Sequence, residues 1–372
     1  MHRSEPSARS HDRSPPMTDA QLDNAIVRHT QSASRWKVVC FSALLVAALS
    51  AASMGVAMHQ TTASAAAPSA SATATMRPQA QPTVSPSPTP TITPAPTLAQ
   101  VVPAAFANLS QLDGSSPLAA AGVKLNEMQR SQLMERIEDF RAQGYQASFV
   151  VVDMRTGAAI ASYGGTPMYT ASAIKAPYIV SLAQTGAVDV NAVATSATAD
   201  AAGLNQLITQ TLRFSDNDMY EALYKRFGAA PTMQWLDGTG AGTGLNGYYG
   251  DVTAIDMARM WVNSYEYLFG APADAADAPG RAWLAQQMRG SLNSSIAAVH
   301  GENEVVASKA GWIYGEGNLY AYNDAGIVIP VGATRLAEQP QGYVLAMLTN
   351  ACARDDLLTA LAQTVDSAMR AA

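Results

Sequence analysis

The stretch Ser172–Ala183, SAIKAPYIVSLA, places a serine and a lysine three residues apart at the start of an apolar segment. Its apolar residues favour a helix that begins near Ser172, with Pro177 in the first turn, where the missing N–H of proline costs least. Residues three apart on a helix share a face, so the Ser172 hydroxyl and the Lys175 amine can meet. A serine becomes nucleophilic beside a base, and an amine serves as that base when it is neutral. The spacing therefore makes Ser172 a candidate nucleophile and Lys175 its candidate base.

This spacing is a weak signal by itself, because Ser34-Arg35-Trp36-Lys37 repeats it in a very different setting. A second element, Ser215-Asp216-Asn217, stands just before a helix predicted for Asp216–Phe227. It fits an ordinary helix N-cap. It also offers a hydroxyl that can relay a proton and an amide that can hold a substrate peptide bond.

The third element is the segment Ser308–Trp312, SKAGW, on a predicted strand. A lysine on a strand can neutralise a substrate carboxylate, and Gly311 allows an extended substrate to approach the backbone. Taken alone, Lys309 is also compatible with an ordinary surface charge.

The three elements follow one another as SxxK, SDN and K-x-G, each on the type of element that the corresponding catalytic motifs occupy. From about Gln146 to the end, the sequence resembles the class A β-lactamase catalytic domain and the penicillin-binding-protein superfamily. Flanking segments agree with this, namely an early β-hairpin, DVTAIDMARM at Asp251–Met260, and AYNDAGIVI after the K-x-G strand.

The resemblance implies that Ser172 is acylated by the substrate and that Lys175 takes the proton of its hydroxyl. Ser215 would then pass a proton to the leaving nitrogen. The backbone N–H of Ser172 would be one donor of an oxyanion hole.

The same resemblance implies a substrate-binding set of Asn217, Lys309, Ala310, Gly311 and Trp312. Asn217 would bind a substrate amide, Lys309 would attract a substrate carboxylate, and the Trp312 N–H would complete the oxyanion hole. The family motif has a hydroxyl residue where this chain has Ala310. Losing one charge-assisted hydrogen bond to a carboxylate costs about 1.5–3 kcal/mol.

A second departure concerns the group that clears the acyl-enzyme. Class A β-lactamases place a glutamate between the second motif and the following helix, but Thr232–Gly250 contains none. Asp237 and Asp251 are the carboxylates nearby; we expect Asp237 in a turn and Asp251 as a helix cap. Acylation is therefore expected to proceed while hydrolysis of the acyl-enzyme is slow.

The predicted elements run helix, two strands, several helices, further strands and a final helix. Strands are predicted for Val305–Lys309, Asn318–Tyr322, Gly326–Pro330 and Tyr343–Thr349, and the last helix for Asp355–Met369. This order predicts an α+β fold of the β-lactamase/transpeptidase type. An antiparallel sheet built from both ends of the domain would be flanked by the terminal helices, with a helical lobe inserted.

The N-terminal part predicts export. Residues 1–37 carry six basic side chains and precede the uncharged run Val38–Met58, which is long enough for a transmembrane anchor with a cytoplasmic N-terminus. A cleaved signal peptide, which would make the protein secreted, is the alternative. Residues 59–124, rich in Pro, Ser, Thr and Ala, are predicted to be a mostly disordered linker that could cross a cell wall, and residues 125–372 the catalytic domain.

Composition excludes several partners. The formal net charge of −6 gives no sign of nucleic-acid binding. Of the two cysteines, Cys40 lies at the cytoplasmic end of the predicted anchor and Cys352 in the predicted exported domain, so they cannot pair within one chain. His300 and Cys352 are the only soft ligands after the linker, so no metal or cofactor is expected.

Competing functions remain open at this point. A cell-wall D,D-peptidase, or another peptidase or esterase, could use the same residues, and the missing glutamate favours it. A membrane-anchored binding domain that has kept only the fold is a non-enzymatic alternative. A Ser-His-Asp hydrolase is a weaker rival, because His300 is the sole histidine of the predicted domain and no G-x-S-x-G turn occurs.

Overall fold

A computed structural model describes residues 95–242, 244–245, 249–300, 302 and 304–371. The predicted cytoplasmic segment, the predicted anchor and the first part of the predicted linker lie outside these residues. No helix in the described ranges is long and apolar enough to cross a membrane.

Helices and short strands alternate in the middle of the domain, and the long strands lie toward its two ends. The helices are α1 (Leu98–Gln111), α2 (Glu127–Arg141), α3 (Lys175–Gln184), α4 (Val190–Thr195), α5 (Ala199–Arg213), α6 (Asn217–Phe227), α7 (Ala230–Thr239), α8 (Ala254–Phe269), α9 (Ala278–Gln287), α10 (Ser295–Val299) and α11 (Asp355–Arg370). The strands are β1 (Ala119–Ala121), β2 (Ala147–Asp153), β3 (Ala159–Ser162), β4 (Met168–Tyr169), β5 (Gly244–Leu245), β6 (Gly250–Val252), β7 (Glu304–Tyr314), β8 (Tyr320–Pro330) and β9 (Tyr343–Thr349).

The main sheet has six antiparallel strands in the order β1-β3-β2-β9-β8-β7. Its strands come from the beginning and the end of the domain, and helices α3 to α9 form the lobe between them. A small sheet, β4-β6-β5, lies within the intervening segment. The predicted α+β architecture is confirmed, and it leaves β7 as an edge strand of the main sheet.

The sheet separates two apolar cores. Alternate residues of β2 point to opposite faces, as the pleat of a strand requires. Phe149 packs in the core shared with α2 and α11, whereas Val150 packs in the core shared with α8. Burial on both faces explains why all seven residues of β2 are buried. In α8, Met257 and Trp261 are buried completely, so this helix forms the centre of the second core.

The linker is predicted to extend to residue 124, but the helix α1 lies within that range and belongs to the folded domain, so the linker ends earlier. Leu98, Val101, Val102, Ala105 and Leu109 are buried at helical spacing in the core shared with α8. At the start of the helix, the Thr97 backbone N–H and hydroxyl both donate to Gln100 Oε1, and the Gln100 N–H donates to the Thr97 carbonyl oxygen. Because this segment is rich in Ala and contains Pro103, its composition resembles that of a spacer, although its apolar stripe is that of a core helix.

Two further boundaries differ from the prediction. The strands predicted for Asn318–Tyr322 and Gly326–Pro330 form one strand, β8, because the polar residues Asn323 and Asp324 between them pair in register with β7. The strand predicted for Val305–Lys309 continues to Tyr314. The third motif therefore lies in the middle of a long edge strand rather than at its end.

Candidate active site

The candidate nucleophile occupies a strained turn at the entrance to α3. Ser172 belongs to a 3₁₀ helix, Ala171–Ile174, that continues directly into α3, and its side chain is partly exposed. Ala171 has a φ of +43°, in the left-handed region that residues with a Cβ rarely adopt. Such a conformation costs about 1–3 kcal/mol and persists only where neighbouring groups hold it.

Lys175 is completely buried and reaches the second motif. Its Nζ donates to the Ser215 carbonyl oxygen at 2.7 Å and to Asn217 Oδ1 at 2.6 Å. It also lies 5.4 Å from the centre of the Tyr220 ring. No hydrogen bond joins the described side chains of Lys175 and Ser172, so the predicted direct contact is absent in this structure.

The environment of Lys175 favours the neutral amine. Burial lowers the pKa of Lys175 well below its ordinary value, and the charge of Lys309 lowers it further. Lys175 Nζ has a third acceptor, the Asp216 carbonyl oxygen at 3.3 Å. A neutral amine can donate to only two of these three acceptors and keeps a lone pair. This is the protonation state that a general base requires.

The second motif forms a turn that exposes its serine to the third motif. Ser215 has a φ of +58°, and Asp216 caps α6 by accepting hydrogen bonds from the backbone N–H groups of Asp218 and Met219. The N-cap interpretation therefore holds for Asp216. The turn leaves Ser215 Oγ within 3.0 Å of Lys309 Nζ, which donates to it.

Lys309 is also completely buried, in the edge strand β7. Its Nζ donates to the Ala310 carbonyl oxygen at 2.6 Å as well as to Ser215. Burial lowers the pKa of Lys309 to about 7, against the opposing charge of Asp324. Near neutral pH this lysine therefore changes protonation state with small changes in its surroundings.

The outer edge of β7 faces the turn of the nucleophile. The Ala310 N–H donates away from β8, to Ser291 Oγ at 3.2 Å, and the period of two along a strand directs the Trp312 N–H to the same side. A Cβ on Gly311 would lie only 2.7 Å from the Ser172 backbone nitrogen. Glycine is therefore required for this contact. The contact places the Ser172 backbone against β7, at the residue that precedes Trp312.

The structure also identifies site residues that the sequence analysis missed. Tyr249 donates its hydroxyl to Asn217 Oδ1 at 3.3 Å, next to the bond from Lys175. With its oxygen occupied twice, Asn217 has its amide N–H₂ available for a ligand. Nothing in the sequence marked Tyr249, whereas the polar pair Asn323-Asp324 inside an apolar strand was a visible signal.

Neither nearby aspartate has the location that the sequence analysis predicted. Asp237 is exposed on α7, which continues to Thr239, so the predicted turn is wrong. Asp251 is exposed on β6 and does not cap α8, whose N-cap is Thr253. The expected cap role of Asp251 is therefore also wrong.

His300 lies in a separate cluster. Its Nε2 is 3.0 Å from the Tyr343 hydroxyl, and its Nδ1 is 3.6 Å from a carboxylate oxygen of Glu304. Tyr343 in turn donates to Asp366 on α11. These contacts favour a structural histidine over a member of a Ser-His-Asp triad.

Comparisons with known proteins agree with this geometry. No curated protein sequence matches the chain. A family model described as "Beta-lactamase enzyme family" matches residues 130–368, which include all three motifs. The chain belongs to this β-lactamase family. It is accordingly a serine hydrolase of the β-lactamase-like type, as the resemblance predicted.

Several solved structures are similar to this family member at low sequence identity. A β-lactamase from Sphaerobacter thermophilus is 15% identical, with a TM-score of 0.50 over 65% of this chain and 98% of its own. PBP-A is 19% identical, with a TM-score of 0.49 over 65% of this chain and 97% of its own. A β-lactamase from Desulfarculus baarsii is 18% identical, with a TM-score of 0.49 over 67% of this chain and 100% of its own.

Proposed function

We propose that this β-lactamase family member forms an acyl-enzyme at Ser172 with β-lactams or related amides and clears it slowly. The observation that carries the proposal is the convergence of four elements. Hydrogen bonds join the buried Lys175, the Ser215 turn and the edge strand bearing Lys309. The 3₁₀ turn of Ser172 packs against Gly311 of the same strand. A catalytic constellation of this kind supports acyl transfer.

In the proposed reaction, neutral Lys175 takes the proton of the Ser172 hydroxyl as the oxygen attacks the substrate carbonyl carbon. The N–H groups of Ser172 and Trp312 stabilise the resulting oxyanion. Ser215 then delivers its hydroxyl proton to the leaving nitrogen and receives in its place the proton held by Lys175, and the carbon–nitrogen bond breaks. The products are an ester at Ser172 and an N–H on the opened ring or released amine, with Lys175 returned to its neutral form.

Substrate binding is assigned to the surrounding polar groups. Protonated Lys309 attracts the substrate carboxylate, and the amide N–H₂ of Asn217 donates to the substrate's amide carbonyl. Because Ala310 has no hydroxyl, the carboxylate lacks one donor that the family motif supplies. We therefore expect weak recognition of simple penicillins.

Slow deacylation follows from the missing base. No glutamate occurs between Glu221 and Glu266, and both Asp237 and Asp251 are exposed. A general base must lie within hydrogen-bond reach of the water that it activates, and within the described residues neither carboxylate is hydrogen bonded to Ser172, Lys175 or Ser215. The ester at Ser172 should therefore accumulate.

A cell-wall D,D-peptidase is the second candidate, and the same missing glutamate favours it. Peptide substrates that end in a carboxylate present the amide and the negative charge that this site would bind. Hydrolysis of a D-Ala-D-Ala peptide compared with hydrolysis of a chromogenic cephalosporin separates the two activities. A non-catalytic binding domain would show neither activity and no acylation.

The test of the acyl-enzyme is intact-mass measurement over time after penicillin exposure. Wild-type protein should gain one penicillin per chain and lose it slowly, whereas Ser172→Ala should gain none. Rapid steady-state turnover would show that another group activates water. Failure of the folded wild-type protein to acylate at all would refute the assignment of Ser172.

We further propose that Val38–Met58 anchors the enzyme in the membrane with the catalytic domain outside the cytoplasm. The excess of basic residues before this apolar run supports the orientation. Fractionation of cells that express the full chain, with protease added outside, tests it. Recovery of the intact chain from the cytosol would contradict the anchor, and recovery of a shortened chain from the medium would indicate cleavage.

A further inference from the structure

The side chain of Asn323 connects three segments around the nucleophile. It lies on β8, directly opposite Gly311 in the β7–β8 register, and only 2% of it is exposed. Its Nδ2 donates to the carbonyl oxygens of Tyr169 at 2.8 Å and Thr170 at 3.0 Å. Its Oδ1 accepts from the Thr349 N–H at 2.9 Å. Both donors and the acceptor of the amide are thus used on backbone groups.

The two carbonyls that Asn323 holds immediately precede the strained residue. Tyr169 and Thr170 lead into Ala171, whose positive φ turns the chain so that Ser172 faces the cleft. Backbone strain of this kind persists only where several contacts with neighbouring groups hold the residue in its conformation. Asn323 and Gly311 meet the turn from the same face of the sheet: the Thr170 carbonyl oxygen that Asn323 holds and the Ser172 nitrogen would each lie 2.7 Å from a Cβ on Gly311.

We infer that Asn323 is a positioning residue for the nucleophile, and this inference rests on the proposed acylation at Ser172. By holding the Tyr169 and Thr170 carbonyls, its amide sets the direction of the Ser172 N–H and side chain relative to the substrate carbonyl. A misplaced reacting group loses rate even where binding is kept. Lys309 and Asn217, which are assigned to substrate binding, make no hydrogen bond to Asn323 within the described residues.

The amide is the required group, since an aspartate of nearly the same shape has no N–H₂. Asn323→Asp would place carboxylate oxygens against two carbonyl oxygens, while the Thr349 N–H would still find an acceptor. Asn323→Ala removes both sets of bonds. Ile327→Val is the matched control, because it trims a buried side chain of the same strand without touching the turn.

The experiment measures acylation of the full chain by penicillin G, resolving the acylation rate constant from the dissociation constant of the preceding complex. We expect the rate constant to fall about 10- to 100-fold in Asn323→Asp and Asn323→Ala, with the dissociation constant changed less than about threefold. Ile327→Val should match wild type in both while losing some thermal stability. A rate constant within twofold of wild type in folded Asn323→Ala overturns the inference, as does an equal loss in Ile327→Val.

If Asn323→Ala does not fold, the double variant Ala171→Gly/Asn323→Ala keeps the test open. Glycine tolerates the positive φ at position 171 and restores folding. It does not restore the direction of Ser172, so the slow rate should remain, and a wild-type rate would overturn the inference.

Wild-type protein serves as the separate test of the proposed function. If wild type resists penicillin but its Ser172 reacts with a fluorophosphonate, the substrate proposal fails and the variants are compared with that probe. If wild-type Ser172 reacts with neither reagent, both the proposed function and the inference fail.

Discussion

Ser215 is held between two buried lysines, with its Oγ accepting a hydrogen bond from Lys309 Nζ at 3.0 Å and its carbonyl oxygen accepting one from Lys175 Nζ at 2.7 Å. The two amines therefore meet the same residue from different elements, β7 and α3. Their proximity disfavours charging both at once, because like charges raise the free energy of the doubly protonated state. This arrangement explains why the pKa of Lys175 is lowered by Lys309 as well as by burial.

The first prediction concerns stability and pH. The pKa of Lys309 is about 7 in the folded chain and near the ordinary 10.5 in the unfolded chain. Between these values the unfolded chain binds more protons, so the free energy of unfolding should rise with pH from about 7 to about 10. The rise is at most about 1.4 kcal/mol per pH unit for this lysine. Lys309→Met should reduce this slope and leave the part that comes from Lys175, whose pKa is also lowered in the folded chain; urea unfolding across this pH range measures both.

The exposed Lys124 is the control for this measurement. Lys124→Met should keep the wild-type slope. A stability that falls over the same pH range in wild type would contradict the lowered pKa.

The second prediction tests the close approach of β7 to the nucleophile. Gly311→Ala should lower acylation at least 100-fold and destabilise the fold by about 1–3 kcal/mol, because its Cβ would enter the space of the Ser172 backbone nitrogen. Gly203→Ala, in α5 with open space around it, is the matched control and should stabilise by up to about 1 kcal/mol. Thermal unfolding and penicillin labelling check both variants. Normal labelling of Gly311→Ala would show that the contact is not needed.

The third prediction concerns the missing hydroxyl of the third motif. Ala310→Ser should strengthen the pre-acylation complex with penicillin about 10-fold, because it adds a hydrogen bond to the substrate carboxylate. The ratio of dissociation constants, obtained from acylation at varied penicillin concentration, measures the effect. An unchanged dissociation constant would indicate that another hydroxyl already binds the substrate carboxylate. Ser291 is the candidate, because its Oγ accepts the Ala310 N–H.

The fourth prediction tests the assignment of the aspartates. Asp237→Asn should leave the lifetime of the penicillin ester unchanged within about twofold, since Asp237 is exposed on α7 and lacks the buried setting of a tuned base. Intact mass followed after removal of free penicillin gives this lifetime. A lifetime lengthened 10-fold or more would identify Asp237 as the deacylation base.

The fifth prediction concerns the N-terminal boundary of the domain. A chain that starts at Leu125 loses α1 and its buried apolar side chains and should lose much of the unfolding free energy, which is about 5–15 kcal/mol for an ordinary domain. A chain that starts at Pro88 should keep the melting temperature of the full chain. Equal melting temperatures for both truncations would show that α1 contributes little.

Much of this molecule was predictable because its signals are local. Three short motifs and the predicted strands pointed to the fold and the candidate residues, and the family match agrees with them. The helix α1 was missed because its composition resembles a spacer, and only packing against α8 distinguishes the two. The single strand β8 was missed because a polar pair normally interrupts a strand unless partners bury it.

The sequence by itself determined the residue types of the chemistry: a serine and an amine one helical turn apart, a second serine with an amide, and a lysine beside a glycine. Only the tertiary structure decided which atoms meet. It directs Lys175 to Ser215 and Asn217 rather than to Ser172, places Lys309 on Ser215, and assigns Asn323 to the turn of the nucleophile. The physical reason is that spacing along a chain defines faces of helices and strands, whereas hydrogen bonds and pKa shifts depend on what those faces meet in the folded chain.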